Sequence, residues 1–378
     1  RNMEHYLDNA ATTKPCAEAA AAVMSCISSH YGNPSSLHRK GLEAQHEVEY
    51  ARNQVAGALG CKAQEIVFTS GATESTNLAL CGAAAAYGRK RKKIITSSVE
   101  HASVRETMAH LETLGFTVVS VPPAEDGLYH AEDFLKEVDK DTCMVSIMLV
   151  NNENGYRMPV EEVFRTVKRR DPDIITHCDA VQGFLKVSFK PRTLCADLVS
   201  LSGHKVHALK GAGALYIRQG VRLKPVLYGS RQEKGLRPGT EGVPVIAAFG
   251  AAAEKLVLTM DERYDAVSGL RSSLIEQLKE MDGVIIRDLP SASPYVLNIS
   301  LLGYRSEIVL HYLEQREVYI SSGSACSKGA SSGVLELFGA KPAEVDSALR
   351  ISFCSDNTEE DIAALVQGLK DAQKDLMH

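Results

Sequence analysis

From about residue 65 to 220, short apolar runs rich in β-formers alternate with helical patterns, and this alternation narrows the fold more than any other feature. "EIVFTS" precedes "ESTNLALCGAAAA", "KIITSS" precedes "ASVRETMAHLETLG", "TVVSV" precedes "AEDFLKEV", and "MVSIMLV" precedes "PVEEVFRTVKRR"; "DIITHCD", "ADLVSLS" and "GALYIR" follow. Strands that are apolar throughout, and not on alternate residues, have both faces covered. With helices between them they predict an α/β fold built on a mostly parallel central sheet flanked by helices. In such sheets ligands sit outside the carboxyl ends of the strands.

After Pro244 the pattern changes to a long helical stretch, "VIAAFGAAAEKLVLTMDERYDAVSGLRSSLIEQLKEM", followed by the strand-like "GVIIRD" and "YVLNISLL", a helix, "EVYI", "ALRISF" and a last helix from Glu359. This reads as a smaller α+β domain. Single cores rarely grow beyond about 250–300 residues, so a chain of 378 residues is expected to divide. The expected division is a large domain at 16–254 and a small one from 1–15 and 255–378.

Composition excludes several classes. Lys and Arg number 42 against 47 Asp and Glu, for a net charge of −5, without the basic excess of a nucleic-acid or membrane-surface protein. The one basic run, Arg89 to Lys93, reads as a solvated loop, with a docking patch for an acidic partner as the alternative. The nine cysteines are scattered and none forms a C-x-x-C pair, so neither a disulfide framework nor a zinc site is expected, and a cytoplasmic location is. The longest apolar stretch, "VPVIAAFGAAA", is too short to span a bilayer, and no signal-type leader opens the sequence.

Polar groups collect where the apolar strands end. In "VFTSGATES", Ser70 to Thr73 stand at the turn from strand to helix, where unpaired N–H groups and the dipole suit a phosphate. No Walker lysine or G-x-G-x-x-G accompanies them, which disfavours a nucleotide. His101 follows "SSVE", and Asn151 to Asn154 follow "IMLV". Asp179 terminates "ITHCD", with Gln182 three residues on, and Ser202, Gly203, His204 and Lys205 end "LVSLS". A buried carboxylate needs a partner. A lysine desolvated at a strand end loses basicity and becomes a nucleophile. A lysine for an aldehyde, a carboxylate for a ring nitrogen and donors for a phosphate together fit pyridoxal phosphate. Elsewhere, Cys326 lies in "SSGSACS", among Ser and Gly. That composition predicts a mobile, exposed loop and a thiol used as a reagent and not for packing.

Ten segments in order carry a resemblance over essentially the whole chain: "LDNAATT", "YGNPSSLH", "FTSGATESTNLA", "SSVEH", "NNENG", "HCDAVQ", "SGHK", "RPGTE", "SSGSACS" and "ALRIS". With these the chain resembles class I cysteine desulfurases, of the NifS/IscS-like kind, in the pyridoxal-phosphate-dependent class V aminotransferase superfamily. The resemblance implies fold type I and a homodimer with active sites at the subunit interface. It implies that Lys205 holds the cofactor, Asp179 pairs with its ring nitrogen, His101 stacks on the ring, and Gln182 and Asn152 bond near the ring oxygen. Ala72, Thr73, Ser202 and His204 would hold the phosphate, with Thr240 reaching in from the other subunit. Arg350 would clamp the substrate carboxylate, assisted by Asn152. Cys326 would take sulfur from L-cysteine as a persulfide, releasing L-alanine, for iron–sulfur cluster assembly or another sulfur-transfer pathway through an acceptor or scaffold protein. His101 would serve as proton relay for that thiol. The sequence departs from the usual pattern at Ala208–Leu209, Ser230–Arg231 and Cys354–Ser355. Alternative activities on the same site are a selenocysteine lyase-like reaction, for which Cys326 would be dispensable, and another class V aminotransferase-superfamily reaction.

Overall fold

The computed structural model describes residues 3–324 and 332–376. The chain opens with a short strand, β1 (His5–Tyr6), and then lays two helices, Ala17–Ser28 and Arg39–Leu59, before entering the main sheet. That sheet contains β2 (Ile66–Thr69), β3 (Lys93–Ser97), β4 (Thr117–Val121), β5 (Thr142–Ser146), β6 (Ile175–Asp179), β7 (Leu198–Ser202) and β8 (Gly213–Ile217). Their order is β2-β8-β7-β6-β5-β3-β4, parallel except for β8, which runs antiparallel to both neighbours. Every residue of β5, β6 and β7 is buried, including the polar Ser146, His177 and Ser200, with His177 bonded to the two serines at 2.7 and 2.8 Å, whereas the edge strand β4 is mostly exposed or half-buried.

Because β8 alone is reversed, the other six strands end on one side, and β8 begins there. Gly213 pairs with Thr69 on one flank and Ser202 on the other. A Cβ at Gly213 would lie 2.6 Å from the Gly71 carbonyl carbon. The missing side chain therefore lets β8 press against the turn that starts the helix Ala72–Tyr87.

The expected long helical stretch is two helices, Val243–Leu258 and Met260–Lys279, bent by 77°. Thr259 leaves helical geometry at φ −120° and ψ 21°. Arg263 secures the bend by donating to the carbonyls of Leu256 and Leu185, both at 2.8 Å. The apolar spacing runs through this point and so hides the break. The expected boundary at 254/255 falls inside the first of these helices. Among the described residues no single helix is long and apolar enough to cross a membrane.

A second sheet follows, made of β9 (Val284–Arg287), β10 (Val296–Leu301), β12 (Ser321–Ser322) and β13 (Ala348–Ser352), antiparallel in the order β12-β13-β10-β9; β11 (Val318–Tyr319) instead pairs in parallel with β1. Its core, with Leu297, Ile299, Leu349 and Ile351 packed under Ile362, Leu365 and Leu369 of the helix Glu359–Asp375, is distinct from the core of the main sheet. Each such side chain, fully buried, contributes about 1.5–3 kcal/mol.

The N-terminal segment joins the two halves. His5 Nδ1 meets Asp361 at 2.8 Å, and Asp8 bridges Ser352. From there residues 10–13 pass over the strand ends of the main sheet, where Thr13 N–H donates to the His204 carbonyl at 2.9 Å.

Candidate active site

The strand ends of the main sheet and the N-terminal segment enclose a cavity of about 580 Å³. His101, Asn152, Asp179, Gln182, Lys205 and Arg350 line it, and Ala72, Thr73, Ser202 and His204 line it too. All were expected from sequence, though they lie up to 278 positions apart (350 − 72). Two larger hollows, of about 740 and 690 Å³, lie elsewhere, among side chains such as Glu49 and Arg231 or Lys62 and Gln219. Neither includes these strand-end groups, so the smaller cavity is the chemical one.

Lys205 follows the end of β7. Its Nζ donates to the carbonyls of Ala10 at 2.6 Å and Ala11 at 2.7 Å. Burial and then the nearby Arg350 charge depress its pKa to about 8, against the opposing pull of Asp8 and Asp179. Asp179, the last residue of β6, is buried and accepts from the Val181 N–H at 3.0 Å. Burial pushes its carboxyl upward, while His101, the Val181 N–H and Lys205 act in the other direction. A cation set against it would hold it ionised.

His101 is the N-cap of the helix Ala102–Thr113, and its Nδ1 accepts from the Ser103 N–H at 3.1 Å. In the neutral ring this assigns the proton to Nε2. Gln182 donates through Nε2 to the Ala10 carbonyl at 3.0 Å, with Lys186 Nζ 3.5 Å from its Oε1. His204 Nδ1 meets Thr12 Oγ1 at 3.1 Å, and burial lowers the ring's pKa to about 4, so it is neutral near pH 7.

Across the cavity, the helix Ala72–Tyr87 begins with N–H groups that have no intrahelical acceptor. Glu74 in its first turn bonds back to the Ser70 N–H at 3.0 Å and is neutralised by Arg237 Nε at 2.9 Å. At the end of β7, the buried Ser202 Oγ has no partner among the described residues. A helix N-terminus, an orphaned hydroxyl, Thr73 and the nearby Lys210 form a receptacle for a phosphate. With a partly deprotonated lysine and a buried acid beside it, the residues present fit pyridoxal phosphate.

Thr240 does not line this cavity. It lies in an adjacent one of about 200 Å³ that shares Ser70 and Gly211 with it. Arg350 projects from β13; Nη1 donates to the Asn152 carbonyl at 3.0 Å and Nη2 to Asp8 Oδ1 at 3.3 Å. Cys326 lies outside the described residues; Ser321, five positions before it, pairs directly with Arg350. Cys354, near Arg350 in sequence, is a buried thiol that burial pushes up to about 11, and Cys178 is fully buried. Neither is a nucleophile at neutral pH. The basic run is largely paired, with Arg91 2.7 Å from Asp171, Lys93 3.0 Å from Asp139 and Lys92 over the Phe116 ring.

Several groups escaped the sequence reading. The carbonyls of Ala10 and Ala11 have no side-chain signal, and Asp8 stood only within a family motif. Glu100 was passed over beside His101. It is buried, accepts from Ser97 Oγ at 2.6 Å and from the Met148 N–H at 3.0 Å, and burial raises its pKa to about 8. It thereby pins Met148, a wall of the cavity.

An α/β enzyme site with a lysine, an acid and a phosphate receptacle at the strand ends is what the geometry defines. The family model for aminotransferase class V matches residues 5–365, and the chain belongs to that family. It is 40% identical to a "NifS/IcsS protein homolog" from Lactobacillus delbrueckii subsp. bulgaricus, over 94% of this chain and 94% of the relative. It is 38% identical to a "Cysteine desulfurase" from a Nostoc species, over 96% of this chain and 91% of the relative. A solved "NifS-like protein" superposes with a TM-score of 0.93 at 37% identity, covering 99% of this chain and 100% of the other.

Proposed function

We infer that this chain is a cysteine desulfurase: it binds pyridoxal phosphate, removes sulfur from L-cysteine as a persulfide on Cys326, and releases L-alanine. The observation that carries the reading is the convergence of Lys205, Asp179 and Arg350 on one cavity, with Cys326 following in sequence after β12, whose Ser321 pairs with Arg350. Bound pyridoxal phosphate would supply an electron sink for charge developed at the substrate α carbon.

The chain's residues do the rest. Arg350 holds the substrate carboxylate. Asp179 keeps the cofactor's ring nitrogen protonated, and His101 flanks the ring. Once free, Lys205 Nζ takes the α proton, and the Ala10 and Ala11 carbonyls provide a resting place for the resulting ammonium. The Cys326 thiolate bonds to the substrate sulfur as the carbon–sulfur bond breaks. The electron pair departs with the three-carbon fragment, which is protonated and leaves as L-alanine. His101, whose Nδ1 would first release the Ser103 N–H, accepts the thiol proton beforehand.

The relatives' names support sulfur transfer to an acceptor, and an iron–sulfur scaffold is one such partner. A homodimer is supported by the exposed Tyr31, Leu37 and Tyr228; Pro34 and Ser230, near them in sequence, line one surface hollow. We place the enzyme in the cytoplasm, with the large and small domains dividing at the bend after Leu258 and not at the expected 254/255.

The test is to incubate the holoenzyme with L-cysteine and a reductant, measuring alanine and sulfide together, and to map added sulfur by peptide mass spectrometry without reductant. Equimolar alanine and sulfide, with the extra sulfur on Cys326, is the expected result. Cys326→Ser should keep its cofactor and lose at least about 10²-fold in alanine formation, because serine is a far weaker nucleophile at neutral pH. With L-selenocysteine the same variant should keep activity. Wild-type alanine formation by Cys326→Ser, or persulfide on Cys178 or Cys354, would remove Cys326 from this role.

A further inference from the structure

Arg350 is arranged as a partly filled receptor. Its Nε and Nη2 form the edge of the guanidinium that takes a carboxylate in two parallel bonds. Nε is buried and has no partner among the described residues, while Nη2 is occupied by Asp8 Oδ1 at 3.3 Å. The opposite nitrogen, Nη1, is committed to the Asn152 carbonyl. Thus half of the bidentate edge is empty and half is lent to an internal carboxylate.

That loan is weak by construction. Charge-assisted N–H···O bonds usually run about 2.7–2.9 Å, and this single contact is longer. The Asp8 side chain is 21% exposed against 8% for Arg350, so water competes for the acid more than for the base. The backbone nevertheless fixes Asp8 in place. It bridges Ser352, which shares a face of β13 with Arg350, and its carbonyl accepts from the N–H groups of Ala11 and Thr12. Asp8 also lies close enough to Lys205 to favour its charged form.

We propose that Asp8 is a displaceable counter-ion of Arg350, which a substrate carboxylate must evict to gain the full bidentate edge, and that this exchange sets the site's selectivity among carboxylates. The proposal rests on the reading of Arg350 as the substrate anchor. After eviction Asp8 remains beside the cavity as a fixed negative charge. It offsets the Lys205 ammonium and disfavours a second anionic group on the ligand. The substrate class that follows is an α-amino acid with one carboxylate and an uncharged side chain.

The experiment measures dissociation constants of the holoenzyme for L-alanine and for ethylamine, which lacks the carboxylate, from the change in the cofactor absorption band. Asp8→Asn should tighten L-alanine relative to ethylamine by about 2–5-fold, the range for a partly exposed ion pair, ethylamine reporting only the loss of the Asp8 charge beside Lys205. Asp8→Glu, with a longer reach to Arg350, should weaken L-alanine. L-Aspartate should gain more than L-alanine in Asp8→Asn. In cofactor-free protein, thermal stabilisation by propionate should be larger in Asp8→Asn than in wild type. Should Asp8→Asn fail to fold, Asp8→Ser carries the same expectation.

An L-alanine to ethylamine affinity ratio in Asp8→Asn equal to or below that of wild type overturns the proposal. Arg350→Met separates the two readings. If that variant still prefers L-alanine over ethylamine as wild type does, Arg350 is not the anchor. If it loses the preference while the Asp8 variants match wild type, only the role of Asp8 falls.

Discussion

Lys205 Nζ donates to the carbonyl oxygen of Ala10 at 2.6 Å, a contact between residues 195 positions apart. The same oxygen accepts from Gln182 Nε2. One main-chain carbonyl of the N-terminal segment therefore orients two of the groups proposed to meet the cofactor. A lysine held this way is placed before the cofactor arrives, and its depressed basicity leaves a useful fraction of free amine near neutrality.

This gives a pH signature. Only the deprotonated amine attacks an aldehyde, and Lys205 releases its proton near pH 8, well below an ordinary lysine. The rate of pyridoxal phosphate capture by the cofactor-free protein should rise about tenfold per pH unit below pH 8 and level off above it. Stopped-flow absorbance measures it. A rate still climbing at pH 10 would refute the assignment, as would a borohydride-reduced adduct mapped to another lysine.

Asp179→Asn should retain cofactor, because the phosphate receptacle and Lys205 are intact. It should lose proton transfer at the α carbon, by roughly 10²-fold or more, since an amide cannot hold the ring nitrogen charged. Exchange of the α hydrogen of L-alanine in deuterated water, followed by NMR, isolates that step from sulfur chemistry. Exchange within a few-fold of wild type would show that Asp179 is not the ring partner.

Gly213→Ala tests the phosphate end without touching a ligand-binding side chain. The new Cβ would sit 2.6 Å and 2.7 Å from backbone atoms of Gly71 and 2.9 Å from the Leu201 carbonyl, none of which is free to swing aside. Overpacking of this kind costs about 1–3 kcal/mol. The expected outcome is a lower Tm together with at least about fivefold weaker cofactor binding, as the helix start at Ala72 is pushed out of place. Cofactor affinity equal to wild type would show that the receptacle does not depend on this close approach.

Much of this site was legible because strand ends carry side-chain signatures. Asp179 ends one strand and Lys205 closely follows another, and a charged residue there demands an explanation. What stayed hidden was of another kind. Carbonyl oxygens are the same at every residue, so nothing in "NAATT" announces that Ala10 and Ala11 receive the Lys205 amine. The direction of β8 is equally silent, since "GALYIR" is as apolar as its parallel neighbours. The bend at Thr259 is masked because apolar periodicity continues on both sides, and Arg263, which secures it, acts through backbone carbonyls. Glu100 was missed because its partners, Ser97 Oγ and the Met148 N–H, lie on two different segments.

The N-terminal segment also has a temporal consequence. Residues 8–13 leave the ribosome long before their partners, which are His204, Lys205, Arg350 and Ser352. Contacts of such long sequence separation form slowly, because the intervening chain must be ordered before they repay its entropy. During synthesis the strand ends of the main sheet can assemble from about residue 217 onward, but the clasp around Lys205 closes fully only when β13 has been made. The nascent protein thus carries its reactive amine for more than a hundred codons before Arg350 can meet Asp8 beside it.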